Sequence, residues 1–314
     1  MRGMATSPQT VAPPLVAITP SRQEISAARL DARSIQRALE ALSRDGIVVV
    51  EDVVDHDAID ALNAVMVKDA ATLIARGTHG PFNYNLGNLQ QSPPFDSAVF
   101  APNIFVNPIA TQITNAFLGE RPTMSFLSSN VAVKADQGQP VHSDADFDYP
   151  SIPFAAVVNV GLVDMRPENG STQLWLGTHN ADISAQMGVH GDRDSGRIKD
   201  ELLAGRAKVR PPIQPTIKKG ELEVNEADSG SIVVRDLRLW HAGMPNRTDN
   251  VRVMLAMIHF APWYRQRMTL RLPRTLRHVL DGNPRLAVSV DWVDEDIDHL
   301  NMPFGNAFDF SQDK

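Results

Sequence analysis

Apolar positions recur along this chain with two different periods, and the change from one to the other divides it. From Asp31 to Arg44, Ile35, Leu39 and Leu42 recur at helical spacing with Ala38 beside them, which predicts an amphipathic helix. Asp45-Gly46 breaks it, and Ile47 to Val50 reads as a short buried strand. A second helix is predicted from about His56 to Arg76, with Ile59, Leu62, Val65, Met66, Leu73 and Ile74 on its apolar side. Gly77 to Pro108 is rich in Gly, Pro, Asn and Gln and reads as loops, long enough to be functional or a covering lid. A short helix over Ile109 to Leu118 ends this part.

From Met124 the texture changes to strands. Met124–Val133, Phe154–Val163, Thr172–Leu176, Ser231–Leu239 and Val251–Phe260 are short apolar or alternating runs divided by turn residues. The last is apolar on both faces apart from Arg252 and His259, so it is expected between two layers. This spacing favours a mainly β fold with flanking helices, a double-stranded β-helix (cupin-like jelly roll), over a βαβ fold. The expected organisation is a flexible arm over residues 1–30 and a single domain over 31–314. Within that domain the jelly-roll core covers about 120–262, a polar, Pro-containing lid insertion about 181–230, and a tail 265–314.

Composition narrows the classes. With 30 basic against 37 acidic residues the net charge is −7, which argues against a nucleic-acid partner. No apolar run is long enough to span a membrane. The complete absence of cysteine excludes disulfides, thiolate nucleophiles and cysteine-ligated metals, and is consistent with a cytoplasmic setting.

The chemistry concentrates in two places. In Gln139-Pro140-Val141-His142-Ser143-Asp144, residues two apart on a strand share a face, so His142 and Asp144 can reach one metal ion. An EF-hand is excluded there, because Tyr149 stands where the sharp turn needs Gly and Ala155 where the bidentate Glu belongs. Downstream, His241 ends an apolar strand, and Arg252 opens the next one among Val251, Val253 and Met254. Two imidazoles and one carboxylate make the facial set of non-haem Fe(II) oxygenases, which leaves coordination positions open for an oxo-acid and O₂. A guanidinium in an apolar strand is costly unless it meets an anion. The far carboxylate of 2-oxoglutarate would supply one, and a local ion pair to Asp236 or Asp249 is the alternative.

Together these residues resemble the phytanoyl-CoA dioxygenase family, especially its fungal natural-product branch. The resemblance rests on a helix followed by Asp45-Gly46 and an apolar strand, and on Gln139-x-x-His142-x-Asp144. It rests further on Asn169-Gly170-Ser171-Thr172 leading to Gly177-Thr178-His179, and on Trp240-His241 with Arg252 downstream. It covers roughly residues 32–262, with Leu176-Gly177 departing from the usual Pro-Gly. It implies that His142, Asp144 and His241 hold Fe(II) and that Arg252 pairs with the distal carboxylate of 2-oxoglutarate. Thr172 and Gln139 become further 2-oxoglutarate contacts, although strand alternation puts Gln139 opposite His142 unless a bulge at Pro140 intervenes. Halogenating relatives lack the carboxylate that Asp144 provides, so the expected outcome is hydroxylation, desaturation or oxidative rearrangement of a small organic substrate. A homodimer is expected, with the 265–314 tail as the contact. On the residues alone, a cupin-like hydrolase or isomerase using the same three ligands, and a non-catalytic partner subunit, stay open. His179 and His259 read as structural. The segment Phe82 to Asn85 with Gln90 and Gln91 reads equally as pocket wall or as a loop satisfying its own backbone.

Overall fold

The first long helix is bounded by its caps. A computed structural model describes residues 14–188, 190, 192, 194–219 and 229–302. Within the expected flexible arm, residues 14–30 are built in rather than loose. β1 (Ala17–Ile18) pairs in parallel with the strand beginning at Ile47, Ile18 is fully buried, and α1 (Arg22–Ser26) carries a capping box from Ser21 and Glu24. Residues 1–13 of that arm lie outside the described part. Helix α2 (Ala32–Asp45) starts where Asp31 accepts from the Ser34 N–H, and stops at Gly46 in a left-handed conformation. A Cβ on Gly46 would lie 2.6 Å from the His179 ring, so the helix end and His179 pack directly together.

β2 (Ile47–Asp55) leads into α3 (His56–Ile74), whose buried stripe is Ile59, Leu62, Met66, Ala70 and Leu73. The segment expected as loops contains β3 (Asn88–Gln91) and one turn of helix, α4 (Pro102–Phe105). α5 (Pro108–Leu118) is capped by Asn107 and has Pro108 at its first position, where the missing N–H costs nothing. The barrel strands then follow as β4 (Thr123–Ala132), β5 (Ala155–Gly161) and β6 (Thr172–Leu174). After α6 (Asp200–Val209) come β7 (Ser229–Asp236), β8 (His241–Gly243) and β9 (Arg252–Phe260).

The major sheet runs β1-β2-β7-β5-β9-β4, and its neighbours from β2 to β4 are all antiparallel. A minor sheet faces it, made of β6 and β8 and extended by bridges from His142 to His241 and from Leu174 to Ile213. This is a double-stranded β-helix. Alternation along the major sheet explains the layering. Val48, Val50, Ile232 and Val234 bury against the helices, while Ile47, Val49 and Val233 pack with Leu174, Leu176 and Leu239 of the opposite layer. Burying each such side chain contributes roughly 1.5–3 kcal/mol, so the two faces hold the sheet from both sides.

The tail is spent inside the chain. β10 (Leu270–Pro273) pairs with β12 (Val290–Val293), and β11 (Ala287–Val288) joins the β4 edge of the major sheet. Leu272, Leu276, Leu286 and, from α7 (Arg277–Leu280), Val279 and Leu280 are buried in the main core. As far as residue 302 these apolar side chains pack within the chain, and nothing among the described residues supports the expected pairing of two copies.

His259 is a core residue, as its place in β9 suggested. Its Nδ1 lies 3.0 Å from Thr114 Oγ1, and its Nε2 is buried with no partner among the described residues. Burial pushes its pKa down to about 3. The unfolded chain takes up a proton as pH falls through the ordinary histidine value, and the folded chain does not. Stability present at neutral pH is therefore lost between those two values. From about pH 7.5 to about pH 5 the loss from this one group is about 2 kcal/mol. Urea unfolding at both pH values should show His259→Gln losing less stability than the wild type. Equal losses would remove His259 as the cause.

Candidate metal centre and active-site cavity

Two imidazoles are placed side by side by strand pairing. His142 and His241 exchange both backbone hydrogen bonds, N–H to carbonyl at 2.9 Å each way, and such directly opposed residues project to the same face. Their ring centroids are 4.4 Å apart. The Nδ1 of each ring is 2.8 or 2.9 Å from the carbonyl two residues earlier, on Pro140 and Leu239 respectively. That contact puts the proton on Nδ1 and leaves both Nε2 lone pairs facing the cavity.

Asp144 completes the cluster. Its Oδ1 is 3.7 Å from His142 Nε2 and its Oδ2 is 3.7 Å from His241 Nε2, and the candidate ligand atoms all lie within 4.8 Å of one another. His142 is a single bridge and not part of a longer strand, so Asp144 reaches the site from a bend rather than by strict alternation. Burial alone would raise the Asp144 carboxyl, but Arg235 and the two imidazoles overcome it and hold the group well below the usual range. Burial, with Arg235 adding to it, pushes His241 down to about 3, and burial likewise lowers His142. The donor set is thus two neutral imidazoles and one carboxylate at neutral pH. That composition suits a divalent transition metal with open positions.

Gln139 shares the cavity wall with His142. Its N–H donates to Gly243 O at 2.7 Å and its Oε1 accepts from Gly243 N at 2.9 Å. Between that pair and the His142–His241 pair, one strand spends three steps against two on the other. The extra residue is a bulge at Pro140-Val141, and it turns Gln139 onto the face it would otherwise miss. Thr172, paired with Gly243, also lines the cavity.

Arg252 sits just behind this wall. It is 1% exposed, donates from Nη2 to Gly170 O at 2.8 Å, and donates from Nη1 to Asn130 O and Oδ1 at 3.3 and 3.2 Å. Its Nε is buried without a partner among the described residues, and burial lowers its pKa to about 10. The alternative ion pairs do not form, because Asp236 is held by Arg238 and Asp249 by Lys134. A buried guanidinium facing only neutral acceptors fits a site for an anion.

The cavity holds about 1060 Å³ between the two sheets. Phe82, Asn83, Tyr84, Asn85 and Gln90 do line it, and Asn85 Oδ1 also accepts from Gly87 N, so both readings of that loop hold together. Gln91 instead donates to Met66 O and does not reach this cavity. The Tyr84 ring lies 4.8 Å from His142, held by a left-handed backbone with φ 67°. His179 faces away, with Nε2 3.1 Å from Ser43 O. Two wall residues were not singled out from the sequence. His190 lies 2.8 Å from Asp146 Oδ1. Arg235 donates from Nη2 to Asp144 Oδ2 at 2.5 Å and from Nε to Asn159 Oδ1 at 3.3 Å. Its signal in the sequence was the one that exposed Arg252, a guanidinium inside an apolar strand.

The fold recurs in solved structures. EvdMO1 superposes with a TM-score of 0.50 at 20% identity, over 73% of this chain and 50% of that one. The epimerase SnoN, solved in complex with Fe3+, alpha ketoglutarate and nogalamycin RO, gives 0.51 at 16% identity, over 73% and 84%. Dioxygenase af480 of Aspergillus fumigatus is 29% identical over 185 residues, which is 57% of this chain. That match spans about half (51%) of the relative's own length. The family model described as phytanoyl-CoA dioxygenase (PhyH) matches residues 42–254, a stretch that starts inside α2 and takes in His142, Asp144, His241 and Arg252. With two thirds of the chain and every residue of the metal cluster inside that match, the chain belongs to the phytanoyl-CoA dioxygenase family.

Proposed function

We propose that this chain is a non-haem Fe(II)/2-oxoglutarate-dependent dioxygenase that oxidises a small organic molecule. The observation that carries the reading is the His142–Asp144–His241 cluster, with both Nδ1 atoms tied to backbone and both Nε2 atoms turned to one point. The three side chains would hold Fe(II). Arg252 would take the distal carboxylate of 2-oxoglutarate, with Thr172 and Gln139 as neighbouring contacts. When bound, Fe(II) with 2-oxoglutarate and O₂ supplies the oxidising power to break a substrate C–H bond, the co-substrate leaving as succinate and CO₂.

The chain's own residues bind, orient and exclude water. The backbone contacts at Pro140 and Leu239 fix the imidazole orientation before any metal arrives. The apolar wall of Val157, Val233, Met254, Ala256 and Ile258 keeps the reacting centre dry. The 77–87 loop and the described part of the 181–230 insertion supply cavity walls from Thr78 to Leu86 and from His190 to Arg197, which supports their reading as lids. The cavity volume suits a natural product or amino-acid derivative together with the co-substrate. A cytoplasmic location belongs to the same reading. Among the described residues no helix is long and apolar enough to cross a membrane.

Anaerobic addition of Fe(II) and 2-oxoglutarate to the metal-free protein should produce a weak visible charge-transfer band that His142→Ala abolishes. Metal binding without a band would sink the oxygenase reading in favour of a hydrolytic metal site.

A further inference from the structure

Where β5, β7 and β9 form it, the cavity floor is apolar except at two positions. Val157, Val233, Met254, Ala256 and Ile258 surround Asn159 and Arg235. Alternation along β7 places Arg235 on the cavity face with Val233 and Leu237, while Asp236 and Arg238 pair with each other, away from that cavity. Arg235 is 7% exposed, which is deep burial for a guanidinium. Two of its nitrogens are occupied, Nη2 by Asp144 and Nε by Asn159, and the third, Nη1, is buried with no partner among the described residues.

In the metal-free protein the Asp144 carboxylate balances Arg235. On the reading above, a divalent metal would draw on the same carboxylate. Asp146 is bonded to His190 and Ser195, and Asp194 is paired with Arg197. A buried guanidinium that shares its carboxylate with a metal, and keeps one nitrogen without a partner among the described residues, is suited to a second carboxylate.

We infer that Arg235 is a second carboxylate-binding cation of this cavity, receiving a carboxylate next to the metal site in addition to the one assigned to Arg252. This rests on the oxygenase reading. The same chemistry can come from two sources, the keto-acid end of 2-oxoglutarate or a carboxylate on the substrate. The open metal positions would already take the keto-acid end, which favours the substrate and makes its class an organic acid whose carboxylate lies close to the oxidised carbon.

The test uses redox-inert Ni(II)-loaded protein and calorimetry on wild type, Arg235→Gln and Arg235→Lys, with thermal unfolding as the check on folding. The first titrant is 2-oxoglutarate. The second is benzoate, a small monocarboxylate probe, added to the Ni(II) protein with and without saturating 2-oxoglutarate. A charge-assisted hydrogen bond lost on removing Arg235 should weaken one of these titrants about 10-fold or more. Arg235→Lys should restore most of it. All titrations are run at saturating Ni(II), because losing an outer partner of Asp144 is itself expected to lower Ni(II) affinity by about 10-fold or more. Weaker benzoate alone points to a substrate carboxylate, and weaker 2-oxoglutarate to the keto-acid end. The inference is overturned if both titrants are unchanged, or if their weakening disappears once Ni(II) is saturating, which would make Arg235 only a positioning residue for Asp144. A wild type that binds Ni(II) but no 2-oxoglutarate would instead overturn the oxygenase reading, and benzoate on the Ni(II) protein would still report on Arg235.

Discussion

Asp144→Ala is expected to lower divalent-metal affinity by more than about 100-fold and to leave no measurable 2-oxoglutarate turnover. Loss of an outer partner of a metal ligand already costs about 10–100-fold, and here the only anionic donor disappears. A second effect follows from Arg235. With its carboxylate gone the guanidinium stays buried and loses its only anionic partner among the described residues. Breaking a buried pair costs about 3–5 kcal/mol, and the partly exposed Asp144 side chain brings this to about 2–3 kcal/mol. Asp144→Ala should therefore be both metal-dead and less stable. The double variant Asp144→Ala with Arg235→Met should regain most of the stability and none of the metal binding. Metal titration and denaturant unfolding of the three proteins separate the two effects. A single variant that still binds Fe(II) as wild type does would remove Asp144 from the ligand set.

Arg252→Met should raise the KM for 2-oxoglutarate by about 100-fold with kcat nearly unchanged at saturation. A bidentate guanidinium–carboxylate contact is worth about that much, and it grips the end of the co-substrate that does not react. Binding energy spent equally in ground and transition states appears in KM alone. The contrast is with pyruvate, which lacks the far carboxylate and should bind wild type and variant alike. In the metal-free protein the same change should be neutral or stabilising, because Arg252 is a buried cation with only carbonyl oxygens around it. Succinate release against 2-oxoglutarate concentration measures the first part. An unchanged KM would reassign the residue to packing.

Much of this arrangement was legible in the residues. The helical stripes of α2 and α3 and the strands β4, β5, β7 and β9 follow from apolar period, and their ends differ from the expectation by a few residues. What was missed has no period to read. β3 is Asn-Leu-Gln-Gln, a strand only because β4 offers it a partner, and β1 is two residues long for the same reason. The ligand pair His142 and Asp144 could be named without the geometry that joins them, since a bridge and a bend replaced the expected strand. Gln139 turned on a bulge that a single sequence allows but does not require. Arg235 was hidden by its neighbours. In Arg235-Asp236-Leu237-Arg238 the charges look like a solvated turn, yet alternation sends Arg235 to the metal side and locks Asp236 with Arg238 on the other.

The short strands at the rims of the major sheet have a consequence beyond the site. β1 runs along the outer side of β2, and β3 with β11 runs along the outer side of β4. Open rims are where one sheet can recruit another and grow into aggregates. Here each rim is capped by a segment distant in sequence from the strand it covers. Capping on the β4 side is complete only once residues 287–288 have left the ribosome, so until then part of that rim has no partner strand. Trimming at either flank would recreate that hazard in the finished protein, without touching a single residue of the metal cluster.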